Sequence, residues 1–165
     1  MDRRTYLALS GAGLGTIGGY VGWNRLRYPT VPDGMTVDTL SLSRNVLESD
    51  ERQVLAAREE RHTVIETEAA ARTEIRAIES ATDFVAATTF EEAFLIVVQN
   101  GMRSDAALEL QSVGRTDDGL DLQITVDNPL LPDHDDLTTH SLLVRVTDEK
   151  WRVPGDIAVA IEGYR

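Results

Sequence analysis

The chain contains no cysteine. That absence removes disulfides, thiolate catalysis, cysteine-ligated zinc and a cysteine-linked lipid anchor, while leaving the redox compartment open. Lysine is nearly as scarce, Lys150 being the sole lysine among 16 Lys+Arg residues. The three histidines, His62, His134 and His140, have neither HxxxH nor HExxH spacing, so no zincin-type helix is encoded. No Gly-x-Ser-x-Gly elbow is present to hold a serine nucleophile. No internal repeat is present either. Positive charge is short overall, with 28 Asp+Glu giving a formal net charge of -12. Arg3, Arg4, Arg25 and Arg27 all precede Tyr28, so the remainder is more acidic still. Such a surface repels phosphates rather than neutralising them, which argues against nucleic acid as a partner.

What the chain has in place of lysine is carboxylate. At molar salt the Debye length is about 3 Å, so the mutual repulsion of many carboxylates is largely screened. Lysine scarcity, retained arginine and excess Asp/Glu together resemble the proteins of extremely halophilic archaea. The simpler reading is an ordinary acidic, soluble surface.

The first 27 residues read as an address. Arg3 and Arg4 precede an uncharged run from Thr5 to Asn24, the layout of a charged n-region and an h-region. Asp2-Arg3-Arg4-Thr5-Tyr6-Leu7 resembles the twin-arginine translocation signal, with Asp2 in place of the hydroxyl residue, Tyr6 in place of Phe and Ala8 in place of the final Lys. The resemblance implies export of a folded protein. No lipobox cysteine and no Ala-x-Ala follow, so an uncleaved anchor competes with a cleaved signal. As a helix, Tyr6 to Trp23 would span about 27 Å against a hydrocarbon core of about 30 Å. Tyr6, Tyr20 and Trp23 fall where interfacial aromatics belong. Membrane contact is therefore expected through residues 6–23, with the following domain outside the cell or secreted after cleavage. Gly13-x-Gly15-x-x-Gly18 matches the dinucleotide fingerprint in form alone, since no strand precedes it to aim a helix at a pyrophosphate. Gly11/Gly15/Gly19 have small-xxx-small spacing, but loose filler in an export signal explains them as well.

Residues 28–35, with Pro29 and Pro32, form an extended linker, and residues 36–165 a β-rich domain. Leu40, Leu42 and Val46 keep a strand phase, and Val54-Leu55-Ala56-Ala57 is expected to return as a hairpin through Ser49-Asp50-Glu51. The alternative is a helix over Glu51 to Arg61 capped by Ser49. His62 to Glu66 reads as a strand. Glu68 to Ser80 reads as the one amphipathic helix, N-capped by Thr67, with Ala71, Ile75 and Ile78 on one stripe and a Glu68–Arg72 pair. Phe84-Val85-Ala86-Ala87 reads as an apolar connector. Phe94 to Val98 is a central buried strand that Gln99-Asn100-Gly101 ends. Alternating strands follow at Leu108–Leu110, Leu120–Val126, Leu142–Val146 and Ile157–Ile161, with a turn at Asp117-Asp118-Gly119. The predicted fold is α+β, mainly antiparallel β: a small sandwich or open barrel with one amphipathic helix, preceded by an N-terminal hydrophobic helix.

Asp133-His134-Asp135-Asp136 is the densest group of oxygen ligands, yet it lacks the glycine and distal glutamate of a calcium loop. A solvated loop explains it better. Asp117-Asp118-Gly119-Leu120-Asp121 is hairpin chemistry. His134 and His140 flank one loop and could meet Asp135 or Asp136 at a metal, although an exposed loop histidine and a strand-edge histidine are the plainer reading. A triad of Ser141, His140 and Asp136 fails because neighbours in a strand point to opposite faces. Trp151 and Tyr164 read as packing groups before contact groups. No catalytic, cofactor or metal residue is therefore assigned.

Residues 82–146 resemble the C-terminal β domain of a bacterial protease-complex accessory subunit. The resemblance rests on Asp83-Phe84, Leu95-Ile96-Val97-Val98, Gln99-Asn100-Gly101, the hairpin from Leu108 to Val126 and Asn128-Pro129-Leu130-Leu131-Pro132. The family's Gly-Tyr after the first turn is missing, with Ala106-Ala107 near its place. The chain also resembles small exported or membrane-anchored proteins of haloarchaea, which imply no activity. The expectation is a non-catalytic extracytoplasmic binding or accessory module with a protein partner in the envelope. The alternative is a metal-dependent or hydrolytic envelope enzyme using the Asp133–His140 loop.

Overall fold

Ala93-Phe94-Leu95-Ile96-Val97-Val98 is apolar at every position, and a strand so composed needs cover on both faces. The computed structural model describes residues 28–48, 54–130, 135–150 and 153–164 and provides that cover. The strand containing the run, β3 (Ala93–Arg103), lies inside a four-stranded antiparallel sheet ordered β1-β6-β3-β2, with β1 (Met35–Leu42), β2 (Glu60–Ile65) and β6 (Leu137–Asp148). A second sheet, ordered β4-β5-β7, is built from β4 (Ala107–Arg115), β5 (Gly119–Asp127) and β7 (Asp156–Glu162). Phe94, Ile96 and Val98 with Leu142, Val144 and Val146 pack against Leu108, Leu120, Leu122, Ile124 and Val126 of the second sheet. The opposite face of the same strands, Leu95, Val97 and Leu143, packs against Ala71, Ile75, Ala81 and Val85 from two helices and Val46 and Leu47 from a loop. The described chain is thus three layers, sheet on sheet on helices, around a shared central sheet.

Mainly β sandwich-like architecture agrees with the sequence reading, and the five strands after Glu92 stand where the alternation placed them. Four expectations are corrected. The expected helix Glu68–Ser80 is two helices, α1 (Glu68–Glu74) and α2 (Glu79–Ala86). Thr67 does cap α1, its hydroxyl accepting from Ala70 N at 3.1 Å, and Arg72 does pair with Glu68. At Ile75 the backbone turns extended (φ -95°, ψ 128°) because Leu47 pairs with it as an isolated antiparallel bridge. Glu48 N donates to Glu74 O and Arg76 N to Val46 O, both at 2.8 Å, so a remote segment supplies partners the helix would otherwise supply. Phe84 to Ala86, read as a connector, belongs to α2.

Second, Met35–Leu42 does not form a hairpin with Val54–Ala57. It pairs with β6, from Met35↔Asp148 to Leu42↔Ser141. The intended turn at residues 49–51 lies outside the described residues. Third, Gln99-Asn100-Gly101 does not end β3, which continues to Arg103 opposite Leu137. Fourth, β7 runs parallel to β5, Leu120↔Ile157 to Thr125↔Glu162, so the second sheet is mixed rather than antiparallel.

Two devices close the sandwich. Arg115 at the end of β4 donates from Nη2 (2.7 Å) and Nε (3.2 Å) to the two oxygens of Asp148, at the end of β6. Burial alone would raise the Asp148 carboxyl, but the Arg115 bonds and the Lys150 N–H hold it below its ordinary value. Along the same edge Thr30 stitches the incoming chain to β4, its N donating to Gln111 O (3.0 Å) and its O accepting from Val113 N (2.9 Å). The β4–β5 register shifts between Leu110 and Ser112, and this irregularity beside the Thr30 bridge blunts an otherwise open edge. The expected N-terminal helix over residues 6–23 lies outside the described residues. Among the described residues no helix is long and apolar enough to cross a membrane.

Candidate binding cleft

Past Val98 the paired strands β3 and β6 change character. Gln99 faces Ser141 and Asn100 faces His140 across the ladder, and all four are buried. Burying such groups costs free energy unless each finds a partner. On the helix side, Gln99 Nε2 donates to Asn45 Oδ1 (2.7 Å) and to Ser141 Oγ (3.1 Å). Ser141 Oγ donates to Arg44 O at 2.8 Å, and Leu47 N donates to Asn45 Oδ1 at 2.8 Å. Two residues along β6 from Ser141, Thr139 Oγ1 accepts from Leu55 N at 2.8 Å. This polar tier anchors both the loop at residues 44–47 and the segment at residues 54–57 to the central sheet.

Above the tier lies an open cleft of ≈ 380 Å³ whose described lining is Arg44, Asn45, Val54, Arg76, Ile78 and Thr138. None of these is acidic, in a chain of net charge -12. Arg76 is aimed by its Nε, which donates to Leu47 O at 3.1 Å. Asn45 is 7% exposed. Its Oδ1 already accepts two hydrogen bonds, and its Nδ2 has no partner. The cleft therefore gathers two arginines, the buried Asn45 and Thr138, with Val54 and Ile78 as apolar walls.

The sandwich side of the polar end is closed. His140 is fully buried, and its Nε2 lies 2.8 Å from the Arg103 carbonyl. A carbonyl only accepts, so Nε2 carries the proton and Nδ1 is left as an acceptor. Burial pushes the imidazole below its ordinary 6.5, with the Arg103 carbonyl and Asp105 opposing in part. Asn100 Nδ2 donates to Tyr164 Oη (2.8 Å) and to Glu59 O (3.2 Å). Arg58 stacks over the Tyr164 ring at 5.0 Å. Gly101 allows the crossing chain to approach, since a Cβ there would collide with the Ala56 carbonyl oxygen.

The residues singled out from the sequence do not assemble. His140, expected at a strand edge, is a core residue turned into the sandwich, whereas the Asp135 side chain is 99% exposed, 3.7 Å from Arg103 Nε. Ser141 points to the helix side and His140 to the opposite side, as strand geometry requires. His62 sits on β2 with Nδ1 2.7 Å from Glu60 Oε1. Asp133, His134 and Trp151 lie outside the described residues. Asp117-Asp118-Gly119 does form the β4–β5 connection, where Thr116 N donates to Gly119 O. Among the described residues no three His, Asp or Glu side chains are placed to share a metal ion.

The cleft residues escaped the sequence reading because no local signature joins them. Arg44 and Asn45 follow a strand, Arg76 falls inside the expected helix, and Thr138 lies near the start of β6, far along the chain from the others. Compared with protein-family models, with curated proteins and with solved structures, the chain matches none.

Proposed function

We propose that the chain is a non-catalytic extracytoplasmic binding or accessory module of a halophilic archaeon, held at or exported across the membrane through residues 6–23. The observation that carries the binding reading is the chemistry of the cleft. Guanidinium groups neither take up nor release protons in the physiological range, so they suit holding a ligand rather than acid–base work. The location is supported by Arg3-Arg4 before the uncharged run, and the salt habitat by the near-absence of lysine beside 28 acids. A partner in the envelope is in keeping with the resemblance of residues 82–146 to an accessory-subunit β domain.

The test is Arg3→Lys with Arg4→Lys in a halophilic host, followed by cell fractionation and mass determination of the N-terminus. Accumulation of the double variant inside the cell supports twin-arginine export. A domain that stays outside and keeps Met1 overturns that route and leaves an ordinary anchor.

A further inference from the structure

Asn45 is fixed in one orientation from below. Its Oδ1 is committed to Gln99 Nε2 and Leu47 N, which holds the residue as part of the floor of the cleft, with Nδ2 buried and without a partner. Beside it the Arg44 guanidinium has no hydrogen bond or ion pair, and the two Nη groups of Arg76 have none, among the described residues. Elsewhere arginines are engaged: Arg115 with Asp148, Arg145 with Asp38, Arg61 with Glu59 and Arg72 with Glu68. The acids outnumber the arginines, 28 against 16 Lys+Arg, yet among the described residues Arg44 and Arg76 have no carboxylate partner at the same cleft.

We infer that this cleft binds an oxyanion, a carboxylate or phosphate group, carried on a short apolar stem. Arg44 and Arg76 meet the charge beside Asn45 and Thr138, and the stem lies between Val54 and Ile78. Charge-assisted bonds of this kind act at contact distance, where salt screening is least effective. The inference rests on the binding-module reading and names the chemistry of its ligand.

Full-length, 15N-labelled protein in detergent and KCl is titrated with butyrate, inorganic phosphate and neutral butyramide. Expected are shifts of the Asn45 side-chain amide and the Arg44 Nε–H with butyrate and phosphate, butyrate binding the tighter, and none with butyramide. Arg44 is exposed and its side chain carries no structural bond, so Arg44→Gln keeps the remaining spectrum while weakening both anions about tenfold. No shift at Asn45, equal shifts with butyramide, or undiminished binding by Arg44→Gln overturns the site. Binding of phosphate without butyrate overturns the apolar stem. The leader variants report location alone, so a silent cleft and a failed export reading give separate results.

Discussion

The ribbon formed by β3 and β6 has two halves built on different physics. From Phe94↔Val146 to Val98↔Leu142 every position except Arg145, opposite Leu95, is apolar, and the apolar side chains are shared between two cores. From Gln99↔Ser141 to Arg103↔Leu137 the same two strands carry amide, hydroxyl and imidazole groups, and they hold neighbouring segments by directed bonds. The apolar half stabilises by area, about 1.5–3 kcal/mol for each large side chain fully buried. The polar half adds little net stability per bond, about 0.5–1.5 kcal/mol. It instead fixes where Asn45, Leu55 and Tyr164 sit, and with them the cleft. One end of the ribbon holds the fold together; the other end decides its surface.

The largest effect that sharpens this contrast is in the apolar half. Ile96→Ala removes a side chain with no exposed surface and is expected to cost about 4 kcal/mol in denaturant unfolding at high salt. A loss below about 1 kcal/mol would show that the half is not close-packed. Next comes Gly101→Ala, expected to cost about 3 kcal/mol because the added methyl meets backbone and cannot be relieved by a rotamer change. Within the polar tier the two amides should behave unequally. Asn45→Ala strands Leu47 N and removes a Gln99 Nε2 acceptor, for a loss of about 2 kcal/mol. Gln99→Leu leaves Asn45 Oδ1 bonded to Leu47 N and Ser141 Oγ bonded to Arg44 O, and removes the unpaired Oε1, so its effect is expected within about 0.5 kcal/mol of zero. Equal losses would break the distinction between an anchoring and a filling amide.

A further effect is read over pH. His140 is neutral and its folded pKa is lowered, so below 6.5 the unfolded chain binds a proton that the folded chain does not. Its contribution is complete above 6.5 and declines as pH falls through 6.5 toward the lower folded value. The slope is at most about 1.4 kcal/mol per pH unit. His140→Gln is expected to flatten this part of a stability–pH curve, leaving the acid limb to carboxylates such as Asp148. An unchanged curve would show that the imidazole does not feel its burial.

The apolar half was legible in the sequence and the polar half was not, for a physical reason. Alternation with period two, as in Leu120, Leu122, Ile124 and Val126, encodes a half-buried strand whatever its neighbour, so the strands were placed correctly. Gln99-Asn100-Gly101 carries turn chemistry by composition, and only the partners offered by Asn45, Ser141 and Tyr164 let those residues remain in a strand. Ile75 was likewise a sound helical position until Leu47, twenty-eight residues upstream, paired with it. The pattern within β7 says nothing about its direction, so its parallel pairing with β5 was invisible. The cleft combines all three blind spots, because each of its residues owes its place to a partner distant in the chain.

The order of pairing carries a consequence for time. Among the described strands, β4 and β5 alone are joined as a local hairpin; β1 waits for β6, β3 waits for β6, and β5 waits for β7. Topologies dominated by such distant pairings fold slowly, because loop closure precedes its reward. The central sheet cannot be completed before residue 148 has left the ribosome, nor the second sheet before residue 162. Under the proposed export of a folded protein, the leader is the first part synthesised and the last part used. Passage across the membrane is then timed by the slowest strand at the opposite end of the chain.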